Sequence, residues 1–287
     1  MSDVGSARVP ELLRACLLAA AASLGSVPSG IEGPEPLAAQ LHSFRAADGE
    51  IVITPFAGAS VQLEYRGVVI HVDPWSRGDY VAAKPADLIL ITDTPTDHLD
   101  PVLIERLRAP GTVVVVPIEP ERARDAGGAD RLRDVEPTQL MRNGEKRDFL
   151  LRGIEATVGA GGRGGATGIA VTVEAIPMYD IIPGDPFHAP GEGNGYVVTL
   201  GGVRIYFAGV TECTPEMRAV RDIDIAFVPM NLPHGRMPPE GAAECVRAIG
   251  PRVVYPYHYR ELPIDAFVEA LRGSPIEVRL HDWYPRS

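Results

Sequence analysis

The 287-residue sequence has no excess of basic residues. It contains 27 Lys and Arg against 38 Asp and Glu, a formal charge of -11. Surfaces that bind phosphate backbones need clustered positive charge, so we do not expect a nucleic acid as partner. Hydrophobic residues make up 45% and charged residues 23%, which is the balance of an ordinary globular protein.

Cysteine is scarce. The three cysteines, Cys16, Cys213 and Cys245, are too few and too scattered for a disulfide framework or a zinc ribbon. We therefore predict buried thiols.

No hydrophobic run is long enough to form a stable membrane span. The longest, "LLRACLLAAAASL" at residues 12–24, has instead the length of the central region of a secretory signal, and a Gly/Pro-rich stretch follows it. The charges before it cancel, which is typical of a helix packed on the domain rather than of a signal. We favour export, to the periplasm or outside the cell, with residues 1–49 as leader and linker and residues 50–287 as the domain. If the run is not cleaved, we expect the cytoplasm.

Short strands and helices alternate from residue 50 onwards. "EIVITPF", "SVQLEYRG" and "VVIHVDP" read as a meander of strands, and "ADLILIT" as a strand covered on both faces. Asp100 and Pro101 predict a helix start, with Asp as N-cap and Pro at the first helical position. "GYVVTLGG" and "VRIYFAG" predict a second hairpin further along. The chain divides into two halves, each with strands that are flanked by helices on the outside, and this pattern favours a layered α/β sandwich.

Residues that bind metals recur at the ends of these strands. Asp93, Asp97 and His98 follow "LILIT", His188 lies in "GDPFHAPGEGNG", and His258 follows "VVYPY". Loops at strand ends are where a rigid scaffold presents side chains to a ligand.

Five stretches in this order resemble the metallo-β-lactamase superfamily, in the branch similar to ascorbate-phosphate lactonases and N-acyl-phosphatidylethanolamine phospholipases D. They are "VDPW" at 72–75, "ADLILITDTPTDHLD" at 86–100, "FHAPGEGNGYVVTLGGVRIYFAGVTE" at 187–212, "DIAFVPMNLP" at 224–233 and "VVYPYHYR" at 253–260. The resemblance implies a four-layer αβ/βα sandwich. It also implies two zinc ions with a bridging hydroxide that attacks an ester, lactone, amide or phosphodiester of a small molecule.

The sequence departs from that family where the metals would bind. The family's loop reads His-x-His-x-Asp-His, whereas here Asp93 stands at the first histidine and Pro95 at the second. The family's Gly-Asp-Thr, whose aspartate bridges the metals, has become Gly-Val-Thr with Val210 in the middle. Gly58 stands where relatives commonly place a histidine. Pro95 and Val210 are therefore lost ligand positions.

The surviving residues divide unequally between the two metal positions that the resemblance implies. The first keeps at most Asp93 and His188. The second keeps Asp97, His98 and His258, which match a three-ligand catalytic site with an open position. We expect these three residues to be catalytic and to bind one divalent metal, zinc ahead of manganese or iron, in a hydrolase. The alternative is a metal-free pocket that binds a small molecule or catalyses a non-hydrolytic acid–base step.

Four residues near these motifs are candidates for substrate contact: Tyr179, His234, Tyr257 and Tyr259. For His234 we favour the alternative of a histidine on a surface loop. Sequence pattern indicates neither the substrate nor the oligomeric state.

Overall fold

The computed structural model describes residues 42–151, 168–181, 186–230 and 237–284. Most of the expected leader, and His234, lie outside the described residues. The first strand, β1 (His42–Ala46), pairs with the second, so the sheet begins ahead of the domain start expected at residue 50. His42 therefore lies in a strand.

The first sheet has seven strands, which lie side by side in chain order within the described residues. β1 to β4 run antiparallel to one another, and β5, β6 and β7 continue the sheet in parallel. After β1 the strands are β2 (Gly49–Pro55), β3 (Val61–Tyr65), β4 (Val68–Val72), β5 (Ala86–Leu90), β6 (Arg108–Val116) and β7 (Gln139–Leu140).

The second sheet repeats this plan. Its first four strands are antiparallel and its last three extend it in parallel, again in chain order. The strands are β8 (Lys146–Leu151), β9 (Ile169–Met178), β10 (Gly193–Leu200), β11 (Val203–Phe207), β12 (Ile225–Pro229), β13 (Val253–Tyr257) and β14 (Glu277–Val278).

Short helices connect the parallel strands of both sheets. In the first half these are α1 (Pro101–Leu107), a 3-10 turn (Pro120–Arg122) and α2 (Gly128–Asp134). In the second half they are α3 (Pro215–Ala219), α4 (Pro239–Ile249) and α5 (Ile264–Ala270). The predicted start of α1 is confirmed, because the Asp100 carboxylate accepts a hydrogen bond from Leu103 N and Pro101 is the first helical residue. Among the described residues, no helix has the length and hydropathy needed to cross a membrane.

Three apolar clusters define four layers. The largest lies between the two sheets and includes Ile53, Leu63, Phe207, Phe227 and Trp283. The other two lie beneath the helices, one on the outer face of each sheet. The layers therefore run helix, sheet, sheet, helix, and the predicted four-layer αβ/βα sandwich is confirmed.

The prediction of buried thiols was wrong for two of the cysteines. Cys213, in the loop after β11, forms a disulfide bond with Cys245 in α4, and their Cα atoms are 5.7 Å apart. That spacing is typical of a disulfide. Sequence spacing could not reveal the pair, because the two residues are 32 positions apart and meet only when α4 packs against this loop.

Candidate functional site

The loops that follow β5 and β13 bring three of the predicted ligands together. Asp97, His98 and His258 each offer one ligand atom, and these atoms all lie within 4.8 Å of one another. His98 and His258 are buried, and Asp97 is half-buried. The described part of the chain holds no other group of three such residues that could bind an ion.

Pro95 shapes the loop that carries Asp97 and His98. Its carbonyl oxygen accepts hydrogen bonds from the backbone N–H groups of His98 and Leu99, at 2.9 and 2.8 Å. The helix cap that follows is Asp100, not Asp97, so the carboxylate of Asp97 remains free to face the histidines. Pro95 thus begins a turn that holds Asp97 and His98.

Asp73, at the end of β4, holds the ring of His98. It is fully buried and adopts a left-handed φ of 44°, which is uncommon for a residue other than glycine. Its carboxylate accepts hydrogen bonds from His98 Nδ1 at 2.8 Å, from Thr92 N at 2.7 Å and from the Thr92 hydroxyl at 2.6 Å. With Nδ1 committed to Asp73, Nε2 is the nitrogen of His98 that can bind a ligand.

The three candidate ligands are electrostatically coupled. Burial alone would lower the pKa of His98, but the charge and hydrogen bond of Asp73 prevail and raise it to about 9. Burial would raise the pKa of Asp97, but the hydrogen bond from His258 and the charges of both histidines hold it well below its usual range. Burial and the neighbouring His98 lower the pKa of His258, despite its contact with Asp97. Asp97 is therefore the anion of the cluster.

Asp93 and His188 are brought together, but apart from this cluster. His188 Nε2 lies 3.3 Å from Asp93 Oδ2, and its Nδ1 lies 3.4 Å from Asp180 Oδ1. Asp180 also accepts hydrogen bonds from the backbone N–H groups of Phe187 and His188. Although burial opposes it, the two carboxylates raise the pKa of His188 to about 9. His188 is thus a buried cation held between two acids.

A cavity of about 230 Å³ opens beside this pair. Asp93, Pro95 and His188 form its inner wall, and the exposed ring of Phe187 and the Arg124 side chain lie at its edge. Asp97 and His98 lie outside its lining, but they follow Asp93 and Pro95 on the same loop. The cavity is therefore next to the three-residue cluster.

Val210 and Gly58, the other two positions where the sequence departs from the family pattern, are closely packed against neighbouring side chains. Val210 is 2% exposed, and its backbone N–H points to the Met178 sulfur, 3.0 Å away. Gly58 has a left-handed φ of 65°, and a Cβ atom there would come within 3.0 Å of the Trp75 ring. A histidine at Gly58 would therefore adopt a strained φ and would require the Trp75 ring to shift.

The hydroxyl groups of the three tyrosines predicted to contact substrate form hydrogen bonds with groups other than the three candidate ligands. The hydroxyl of Tyr179 donates to Glu216 in α3, and that of Tyr259 donates to the His281 carbonyl. Tyr257 is fully buried, and its hydroxyl oxygen accepts a hydrogen bond from Gly209 N at 2.8 Å, which fixes the loop that carries Val210.

Two residues of the site were not identified from the sequence. Asp73 ends the strand "VVIHV" just as Asp93 follows "LILIT", so the strand-end rule applied consistently would have found it. Arg260 lies 3.2 Å from Asp97 through its Nη2 atom, and no sequence signal pairs residues 163 positions apart.

The donor set of the cluster suits a divalent transition metal. One carboxylate and two imidazoles match the three-ligand pattern of mononuclear catalytic sites, and Asp73 supplies the outer partner that ligating histidines usually have. His258 Nδ1 is buried and has no hydrogen-bond partner among the described residues. These residues fit such an ion.

Comparison with known proteins gives consistent matches. A family model described as a β-lactamase superfamily domain matches residues 52–258. A protein of Aeropyrum pernix named UPF0173 metal-dependent hydrolase is 29% identical over 239 residues, covering 79% of this chain and 87% of the relative. A protein with the same description from Thermococcus kodakarensis is 30% identical, covering 74% of this chain and 87% of the relative.

Solved structures agree with these sequence matches. A metal-dependent hydrolase from Parabacteroides distasonis, so described, is 32% identical with a TM-score of 0.69, covering 85% of this chain and 98% of that one. Igni18, described as a metallo hydrolase from Ignicoccus hospitalis, has a TM-score of 0.57 at 20% identity over 80% of this chain and 94% of its own, a likeness of fold alone.

Proposed function

The chain belongs to the metallo-β-lactamase superfamily, and on that premise we propose that it is a hydrolase that uses a single divalent metal ion. The main support is the convergence of Asp97, His98 and His258, whose ligand atoms lie within 4.8 Å of one another. Relatives over most of the chain are named metal-dependent hydrolases, which is consistent with this function. Zinc is the metal that best suits one carboxylate and two imidazoles, with manganese and iron as alternatives.

We propose that the substrate is a small molecule with an ester, lactone or phosphodiester bond. Asp97, His98 and His258 would hold the divalent ion, which would supply polarisation of the scissile bond and a more acidic bound water. Other residues of the chain orient the candidate ligands and line a cavity for the substrate. Asp73 fixes the His98 ring, and the cavity beside Asp93 and His188 offers a place for the substrate. The His188 ring lies on the wall of that cavity, and its contacts with Asp93 and Asp180 hold that wall in place.

Metal quantification on purified protein tests this function. The protein is loaded with zinc, manganese or iron, freed of excess ion, and its metal content is measured by mass spectrometry. We expect about one equivalent per chain in the wild type and a loss of most of it in His98→Ala and His258→Ala. His42→Ala is the matched control, because His42 lies in β1 outside the cluster. Less than about a tenth of an equivalent in wild-type protein would defeat the proposal.

The second candidate is a metal-free member of the fold that binds a small molecule or catalyses an acid–base step. It is supported by Pro95 and Val210 at two ligand positions and by His188, which is held between two carboxylates. A panel of lactones, esters and phosphodiesters separates the two candidates. Metal-dependent turnover that disappears in His258→Ala would exclude this second function.

We also propose that the protein is exported. The disulfide bond between Cys213 and Cys245 supports this location, because disulfides persist mainly in oxidising compartments. Mass spectrometry of the mature protein from its native cells tests it. We expect an N-terminus beyond residue 24, and a chain that retains Met1 would contradict export.

A further inference from the structure

Arg260 lies beside the candidate metal ligands. It is three residues past the end of β13, and its Nη2 atom is 3.2 Å from Asp97 Oδ2. The same carboxylate oxygen lies 3.4 Å from His258 Nε2. One oxygen of Asp97 is therefore shared between a histidine and a guanidinium.

The backbone after β13 directs both side chains to this point. His258 and Arg260 have left-handed φ values of 50° and 45°, a backbone conformation that residues other than glycine adopt rarely. Residues in such conformations cluster at ligand-binding sites, where the surrounding structure holds them. Here the backbone N–H of His258 donates to the Gly58 carbonyl at 3.2 Å, which secures the turn.

The guanidinium of Arg260 also faces solvent. The Arg260 side chain is 56% exposed, whereas that of Asp97 is 18% exposed. An ion pair this open contributes little to stability, so the guanidinium can leave Asp97 for another oxyanion at small cost. Its planar fork of donors matches a carboxylate or a phosphate better than a lysine would.

We infer that Arg260 is the anion-binding residue of this site and that it recognises a carboxylate or phosphate group on the substrate. Asp97 holds the guanidinium at the edge of the ligand cluster until that group arrives. The exposed guanidinium gives this edge of the site a positive charge that can meet an anion, although the whole chain carries a net charge of -11.

A second hydrogen-bond donor lies in the same place. The Tyr284 hydroxyl is buried and has no hydrogen-bond partner among the residues that the structure covers. A Cβ atom at Gly58 would lie 4.0 Å from this hydroxyl, and the Gly58 carbonyl accepts the hydrogen bond from His258 N, so the hydroxyl lies close to the turn that carries His258 and Arg260. A bound oxyanion would give this hydroxyl the acceptor that it otherwise lacks.

Anion binding can be tested on metal-free protein, without any turnover. Inorganic phosphate and acetate are titrated calorimetrically into the wild type, Arg260→Ala, Asp97→Asn and the double variant. We expect Arg260→Ala to weaken binding of the preferred anion about tenfold or more. Asp97→Asn should strengthen it, because the guanidinium is released, and the double variant should bind as weakly as Arg260→Ala. Preference for phosphate or for acetate identifies the substrate group.

Arg252→Ala is the matched control. Arg252 lies just before β13, at the other end of the same strand, and pairs with Asp224 at 3.3 Å. We expect its removal to leave anion binding unchanged. Equal binding by the wild type and Arg260→Ala, or an equal loss in Arg252→Ala, would overturn the inference.

The role of Arg260 in substrate recognition rests on the proposed hydrolase function. Anion binding by Arg260 and metal binding by the cluster can nevertheless be refuted independently. Protein that binds no metal yet shows Arg260-dependent anion binding would refute the hydrolase and leave the anion site standing. Protein that binds one metal ion and shows no such dependence would do the reverse. Thermal unfolding of each variant checks that it is folded.

Discussion

Replacement of His188 by glutamine should destabilise the protein in a way that depends on pH. Asp180 and Asp93 raise the pKa of His188 from 6.5 to about 9 in the folded state, against the effect of burial. Because the folded pKa lies above that of the unfolded chain, the stabilisation is fully present below about pH 6.5 and is lost as pH rises through about 9. A shift of this size corresponds to about 3 kcal/mol, and the side chain is 6% exposed, so solvent screens it little.

The assay is urea unfolding of the wild type and His188→Gln at about pH 6 and about pH 10. Glutamine keeps a polar side chain of similar reach but carries no charge, so the loss of hydrogen bonds contributes at both pH values and cancels in the comparison. We expect the free energy of unfolding lost by the variant to be about 3 kcal/mol larger at the lower pH. His42→Gln, in β1 and away from this pair, should show no such difference. An equal loss at both pH values would refute the assignment of His188 as a buried cation.

Three further outcomes are expected. Asp73→Asn should lower zinc affinity about 10- to 100-fold by equilibrium dialysis, because the outer partner of His98 loses its charge; unchanged affinity would contradict that role. Cys213→Ser should lower the free energy of unfolding by roughly 3 to 4 kcal/mol under oxidising conditions, and a reductant should remove the difference between variant and wild type. Pro95→His combined with Val210→Asp should raise the metal content from about one to about two equivalents. Val210→Asp alone should lower the free energy of unfolding, because it places an unpaired carboxylate at a position that is 2% exposed.

The fold could be predicted from the sequence because its signals are local. The start of α1 is set by neighbouring residues, with Asp100 as N-cap and Pro101 as the first helical residue. Buried parallel strands show as continuous apolar runs, as in "LIL" at residues 88–90 of β5.

The candidate site was predictable only in part, because its contacts join distant residues. Strand-end positions identified Asp97, His98 and His258, since the sheets bring such positions to one edge. Asp73 also lies at a strand end, but its contact with His98, 25 positions away, and the contact of Arg260 with Asp97, 163 positions away, became evident only from the structure. The side-chain directions of the tyrosines likewise depend on packing that periodicity does not encode.

The contacts of His188 with Asp93 and Asp180 determine how this part of the site responds to chelators. The positive charge between Asp93 and Asp180 is covalently attached to the chain, and water supplies its proton. A chelator would remove an ion held by Asp97, His98 and His258, but not the imidazole of His188. We therefore expect the wall of the cavity that Asp93 and His188 form to keep its structure in metal-free protein.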